Sequence, residues 1–403
     1  MNKPRLWTKN FIGISIANFL VFITFYYLLV TLPIYALQDL NGNAIEAGLI
    51  TTTFLIAAIL SRPFAGRWIE KVGKFPILMS ALLTLCLASA LYFFPHSMTA
   101  MLILRFCHGI GFGMATTAIG TIVADLIPDS RKGEGMGYYG LTINLGMVIG
   151  PFLGLTVMQQ LGTNVMFTVN AICAVLAIMA GLLIRLPKKS IATKMAMEPK
   201  RTGGIKSLFE MSAIPISLVA AFFGLVYSSI ISFVSIYAKE IGLVEAASYF
   251  FIVYAVVLLL SRPFTGKWFD QYGANVIIYP SILCFAIGTY LLSVSSSAFM
   301  FLLSAALIGL GWGTAFPSLQ TIAIQLAPPK KRALATATYL SIFDFGFGVG
   351  SLIFGMVVTG IGHSALYFYS TFLVLIGLAV YYFLHGRNNL PLKNKVQEDQ
   401  VAS

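Results

Sequence analysis

The sequence predicts an all-α membrane protein with twelve spanning helices in two parallel six-helix repeats. Three observations predict it. The chain of 403 residues is 58% hydrophobic and only 10% charged, whereas a soluble domain carries about 45–50% apolar and about 25% charged residues. Its apolar residues fall in long runs divided by short polar breaks. The second half of the chain repeats the first at an offset of 200 residues. A surface so poor in charge cannot face water, which excludes a soluble globular protein and intrinsic disorder alike. One anchor needs about 20 apolar residues, and the apolar excess here runs nearly the full length.

In the first half the runs lie roughly at 11–37, 45–69, 75–95, 99–125, 133–160 and 164–186. In the second they lie roughly at 212–238, 246–269, 275–295, 298–326, 333–360 and 363–385. Most exceed about 20 residues, long enough to cross a bilayer with some tilt. A porin-like barrel would show alternating segments of about ten residues; these runs are continuous, so they are helices. The run from Phe11 is too long for the apolar core of a signal peptide, about 7–15 residues, and is read as the first span.

The net charge is +12, and its placement gives an orientation. Lys3, Arg5 and Lys9, then Arg67, Lys71 and Lys74, then Arg131 and Lys132 fall on one side of the predicted spans. So do Arg185 through Lys206, Lys267, the run Lys330, Lys331 and Arg332, and Arg387, Lys393 and Lys395. The opposite loops hold Lys239 against Asp39, Glu46, Glu240 and Glu245. Basic loops stay in the cytoplasm, so both termini and the central loop are expected there, in a cell membrane. A nucleic-acid partner would need a basic folded soluble face, and none is predicted.

Ser61-Arg62-Pro63-Phe64-Ala65-Gly66-Arg67-Trp68 returns as Ser261-Arg262-Pro263-Phe264-Thr265-Gly266-Lys267-Trp268. Gly73 returns as Gly273, the glycines 109, 111 and 113 as 309, 311 and 313, and Gly146 and Gly150 as Gly346 and Gly350. The chain therefore divides into a six-helix half at 1–187, a cytoplasmic linker at 188–211, a second half at 212–386 and a tail at 387–403. Parallel repeats of this kind place a substrate site at their interface near the bilayer midplane.

Few polar groups sit inside the spans. Arg105 lies about six residues into span 4, and a charge there marks a pathway or a partner, or snorkels to the outer surface. His108 is one turn on and suits either proton relay or neutral packing. Asp344 is the acid deepest inside a span, about 13 residues into span 11, where its repeat counterpart is Asn144. A carboxylic acid in apolar surroundings holds a proton near neutral pH, so Asp344 is the expected proton carrier, with Arg105 as modulator; the rival reading is a structural acid permanently hydrogen-bonded between helices. Arg62 and Arg262 are explained by anchoring at the basic side. Cys86, Cys107, Cys173 and Cys284 lie in spans without ligand spacing and read as buried small hydrophobes.

Three segments carry a resemblance. Gly66-Arg67-Trp68-Ile69-Glu70-Lys71-Val72-Gly73-Lys74 follows span 2, Arg105-Phe106-Cys107-His108-Gly109-Ile110-Gly111 lies in span 4, and Gly146-Met147-Val148-Ile149-Gly150-Pro151-Phe152-Leu153-Gly154 lies in span 5. With them the chain resembles the major facilitator superfamily of transporters over residues 8–386, and within it the twelve-span drug:proton antiporter group. The first segment departs from the family pattern in having Trp68, Ile69, Glu70 and Lys71 for Leu, Ala, Asp and Arg. The resemblance implies a cytoplasmic gate of Gly66, Glu70, Lys71, Gly73, Lys74 and Asp125, repeated at Asp270, with the charge signs of the central pair kept. It links Arg105 to proton transfer, and makes Gly146, Gly150, Pro151 and Gly154 an exporter signature. It also places spans 1, 4, 7 and 10 around the cavity, with Asn18, Phe22, Tyr26, Tyr227, Trp312 and Gln320 as candidate liners.

The expected activity is export of a small amphipathic molecule, drug or metabolite, in exchange for protons by a working monomer in the lipid bilayer. The alternatives are a proton- or solute-coupled importer on the same fold, or an exporter dedicated to one metabolite such as a siderophore. An enzyme would need a nucleophile–base or metal constellation, and the sequence offers none, so no catalytic residue, metal or cofactor is expected.

Overall fold

A computed structural model describes residues 4–40, 44–95, 97–185 and 208–388 of the chain. Most of the predicted linker and nearly all of the tail lie outside the described residues. Among the described residues there are long helices, short 3-10 turns and no strands.

The first six helices are α1 (Lys9–Gln38), α2 (Ala44–Val72), α3 (Lys74–Leu91), α4 (Met98–Leu126), α5 (Lys132–Leu161) and α6 (Thr163–Leu182). Then follow α7 (Ile214–Glu240), α8 (Val244–Tyr272), α9 (Ala274–Ser293) and α10 (Ala298–Leu326). A last helical run, Arg332–Leu384, is interrupted at Gly362 (φ 78, ψ 166). That break makes two spans, 332–361 (α11) and 363–384 (α12), and completes the expected twelve. Gly162, at the α5–α6 junction, also has positive φ, 82°. An L side chain is strained there, so the turn between the last two spans of each repeat is set by a glycine at the same register.

The helices form because their apolar residues surround the axis, as membrane helices require. Thr8 caps α1, its Oγ1 accepting from Phe11 N at 3.2 Å, which meets one of the donors left open at a helix start. Prolines lie inside α1, α2, α5, α8, α9 and α10. Large apolar side chains stay outside: Leu60, Leu87, Ile103, Phe152, Leu183, Leu260 and Met356 are exposed. Such a surface is stable in lipid and not in water. Cys107 departs from the expected burial and faces outward, while the other three cysteines are half-buried and all four are free. Lipid accommodates a thiol as readily as a protein core does.

The chain packs as two compact units. One comprises Met1–Leu126, Leu145–Ser212 and Ala327–Ser341; the other comprises Ile127–Asn144, Ala213–Leu326 and Ile342–Ser403. The start of α11 therefore belongs with α1–α4, and the start of α5 belongs with α7–α10. Inside the first unit, α4 lies close on α2 and α3: a Cβ on Gly111 would stand 3.0 Å from Leu85 N. Inside the second, α10 repeats this on α9, with Gly311 against Phe285 N at 2.5 Å. The repeated glycines are thus places where two backbones approach closely.

Candidate functional site: two seams, a buried arginine and an aromatic wall

In the first unit the end of α2 rests on the start of α11. Gly66 makes this possible, since a Cβ there would fall 2.9 Å from Ala337 Cβ and 3.2 Å from Ala333 O. Arg62, one turn earlier, is buried and donates from Nη1 to Leu340 O at 2.9 Å. The second unit repeats the seam between α8 and α5. Gly266 lies against Glu134, and Arg262 is buried against Gly137 and Gly140, with Nη2 donating to Gly313 O at 2.5 Å. Both arginines are thus interior groups, which corrects the expectation of surface anchoring. The Pro that follows each stays within a continuous helix, so the guanidinium is carried into the seam.

The gate residues divide by role. Lys74 pairs with Asp125, and Arg332 Nη1 reaches the same carboxylate at 3.8 Å. Asp125 is the expected acid, joined to Lys74. Glu70 and Lys71, the other charged residues of the gate segment, make no ion pair with Asp125 among the described residues. Lys71 is exposed, while Glu70 turns inward and its Oε1 is buried without a partner among the described residues. Adjacent helical residues point in different directions, so one of the two faces inward and the other outward. Gly73, with φ 108°, makes the turn into α3.

Asp270, the repeat counterpart of Glu70, accepts from Gly133 N at 2.6 Å and Glu134 N at 3.1 Å. It caps the start of α5 from α8, where the helix dipole favours a carboxylate. Glu134 is also gripped by Arg131, Nε to Oε2 and Nη2 to Oε1, both at 2.8 Å. In the first unit Glu210 lies near the start of α11: its Oε2 is 3.1 Å from Lys331 Nζ, and its N donates to Thr338 Oγ1 at 2.9 Å. Sequence reasoning misses Glu134 and Glu210, and misses that Arg62 and Arg262 are buried in the seams. The repeat itself was the available signal for the two arginines.

Arg105 is fully buried and does not snorkel. Its Nε donates to Ile50 O and its Nη1 to Tyr92 Oη, both at 3.4 Å, and its Cζ lies 4.4 Å from the Phe54 ring centroid. His108 is fully buried too, with Nδ1 2.9 Å from Tyr92 Oη. No carboxylate among the described residues lies within ion-pair distance of Arg105.

The glycines of the span-5 segment seat α5 on α1 at successive turns. Gly146 lies against Phe22, Gly150 against Tyr26 and Tyr27, and a Cβ on Gly154 would fall 2.8 Å from Tyr27 O. Two of the proposed cavity liners, Phe22 and Tyr26, therefore stand on this contact, and Pro151 lies within it. Asn18, on the same helix, is buried. In the second unit Tyr227 lies 5.3 Å from Trp312, which stacks on Phe343 at 5.9 Å and 23°. Gln320 is two turns beyond Trp312, buried, with Oε1 and Nε2 both unpartnered among the described residues. Asp344 follows Phe343 on α11, half-buried and near mid-helix.

Comparison with known proteins decides the family. The sequence profile of the Major Facilitator Superfamily matches residues 14–288 and 216–402. The chain belongs to the Major Facilitator Superfamily. It is 25% identical over 382 residues to an uncharacterized MFS-type transporter of Methanocaldococcus jannaschii, covering 93% of this chain and 97% of that one. It is 27% identical over 206 residues to the quinolone resistance protein NorA of Staphylococcus aureus, about half of each chain (51% and 53%). The human organic anion transporter MFSD10 (TETRAN) shares the fold, with a TM-score of 0.76 and 16% identity over 94% of this chain and all of that one. As an MFS member the chain is a multi-pass membrane transporter of small molecules and not an enzyme.

Proposed function

We propose that this MFS transporter is a proton-coupled exporter of a small amphipathic molecule, of the twelve-span drug:proton antiporter group, working as a monomer by alternating access. The observation that carries the reading is the seating of Gly146, Gly150 and Gly154 on α1 beside Pro151, the residues that the family resemblance makes an exporter signature. The partial match to a quinolone resistance protein supports the same direction. The two halves, 1–187 and 212–386, are the rocking bodies, joined by the linker 188–211. The basic face is cytoplasmic, in the plasma membrane, with the tail 387–403 on that face.

In this reading the α2–α11 and α8–α5 seams are the gate that must part when the cytoplasmic side opens. Asp344 carries the proton: a carboxyl in apolar surroundings binds one near neutral pH and releases it when its side changes access. Arg105 and His108 modulate that exchange. The aromatic groups Phe22, Tyr26, Tyr227 and Trp312 suit a flat or amphipathic substrate, with Asn18 and Gln320 as polar contacts.

A growth screen of deletion and overproducing strains against a compound panel identifies the substrate. Its transport is then followed in inside-out membrane vesicles. The expected result is uptake that a protonophore abolishes and that survives ATP depletion at a held proton gradient. Uptake into intact cells instead would establish an importer.

A further inference from the structure

Tyr92, Arg105 and His108 form one hydrogen-bonded chain, all three fully buried. Tyr92 stands just past the end of α3, and the other two lie one turn apart on α4. Phe54 of α2 closes one side, 5.4 Å from the His108 ring at 88°, and Phe167 of α6 stacks on Tyr92 at 5.8 Å and 13°. The titratable and charged groups facing His108 are therefore Arg105 from its own helix and Tyr92 from α3, while α2 and α6 present apolar rings.

The donor and acceptor inventory fixes where the protons are. A guanidinium only donates, so the contact from Arg105 Nη1 occupies a lone pair of Tyr92 Oη. The phenol has one proton of its own, and His108 Nδ1 at 2.9 Å is its acceptor. His108 Nε2 is buried without a partner among the described residues, so either tautomer leaves an unmet group: a proton on Nδ1 would leave both the phenol proton and the Nε2 lone pair unmet, whereas a proton on Nε2 leaves only that N–H, and burial penalises the larger number.

We infer that Tyr92 is the positioning residue of this site: tied to Arg105, it donates to His108 Nδ1 and holds His108 as the neutral ring with its proton on Nε2. The lone pair through which His108 would take up a proton is then occupied. Protonation at Nδ1 requires the phenol to turn its proton away, and Arg105 opposes that rotation by holding the oxygen. His108 Nε2 thus carries its proton with no acceptor among the described residues, and the ring becomes a proton acceptor only when Arg105 leaves Tyr92. As a step in proton coupling this rests on the antiport reading above; the protonation pattern itself does not.

The test is nitrogen-15 NMR of the histidine rings in the full-length transporter in lipid nanodiscs. There are four histidines, and the His108 signals are assigned by their loss in His108→Gln. The expected spectrum has Nε2 protonated and Nδ1 bare, unchanged across about pH 5 to 8, the range in which a free imidazole titrates. Tyr92→Phe is expected to abolish this fixed pattern, giving mixed tautomers or a ring that titrates, while Arg105→Lys, which keeps a donor, retains it. A proton on Nδ1 in the wild-type protein overturns the inference, as does an unchanged pattern in Tyr92→Phe. The wild-type spectrum decides the tautomer by itself, so an unstable variant leaves the test intact. An Nε2 proton in a chain whose transport ignores the proton gradient would overturn the antiport reading and leave this one standing.

Discussion

Arg62 donates from Nη1 to the backbone oxygen of Leu340 at 2.9 Å, both groups buried, across 278 residues of sequence. One guanidinium thereby pins the end of α2 to the first half of α11. A hydrogen bond from a charged donor contributes about 1.5–3 kcal/mol. Arg62→Met keeps the stem and removes the donor. Opening of this seam is expected to become about ten- to hundredfold more frequent, since about 1.4 kcal/mol is a factor of ten. Hydrogen–deuterium exchange of amides 333–341 reads this directly, and an unchanged rate would show that the carbonyl contact does not latch the seam.

The two copies of the gate acid should respond differently to neutralisation. Asp270 accepts from two backbone N–H groups at the start of α5, whereas the buried Oε1 of Glu70 has no partner among the described residues. Loss of a helix-capping acceptor costs about 0.5–2 kcal/mol. Asp270→Ala should lower the thermal midpoint of the detergent-solubilised protein and speed exchange at amides 132–136. Glu70→Gln should leave the midpoint unchanged or raise it. The opposite ranking would mean that the cap is not what Asp270 provides.

Gly150 should tolerate no side chain. A Cβ there would meet Tyr26 Cβ at 2.8 Å and Tyr27 N at 3.0 Å, whereas Gly348 has nothing within 4 Å. Forcing a methyl into packed backbone costs about 1–3 kcal/mol. Gly150→Ala is expected to reduce both transport rate and thermal stability, and Gly348→Ala to alter neither. Equal behaviour of the two variants would show that α5 does not need its contact with α1.

Asp344→Asn is expected to abolish proton-driven uptake into inside-out vesicles while leaving the folded protein and its substrate binding in place, because the amide keeps the shape and loses the titratable proton. Undiminished, protonophore-sensitive transport in that variant would remove Asp344 from the coupling mechanism.

Most of the fold was legible in the residues. Run length gave the spans, and the 200-residue offset gave the repeat, down to the glycines at 73 and 273. The candidate site was legible in part. The motif names the loop and Asp125, while which basic residue meets that carboxylate, Lys74, is seen only in the structure. That Glu70 faces inward while Lys71 is exposed was not legible, because a charge sign in a motif does not say which side of a helix the residue faces. A basic sequence neighbourhood makes Arg62 and Arg262 read as surface anchors. Their burial depends on the starts of α11 and α5, which lie far along the chain.

What the sequence determined by itself was the solvent and the count: apolar length sets the number of crossings, and sparse charge excludes water. It also marked Arg105 and Asp344, since any charge inside an apolar run stands out. The tertiary structure decided the partners. Tyr92 joins Arg105 to His108, Asp270 caps a helix 136 residues away, and α11 begins in the unit built from α1–α4. Hydrophobic length is a local property, read off consecutive residues. A hydrogen bond is a directional contact between two groups, and which groups meet is fixed only once the helices have packed.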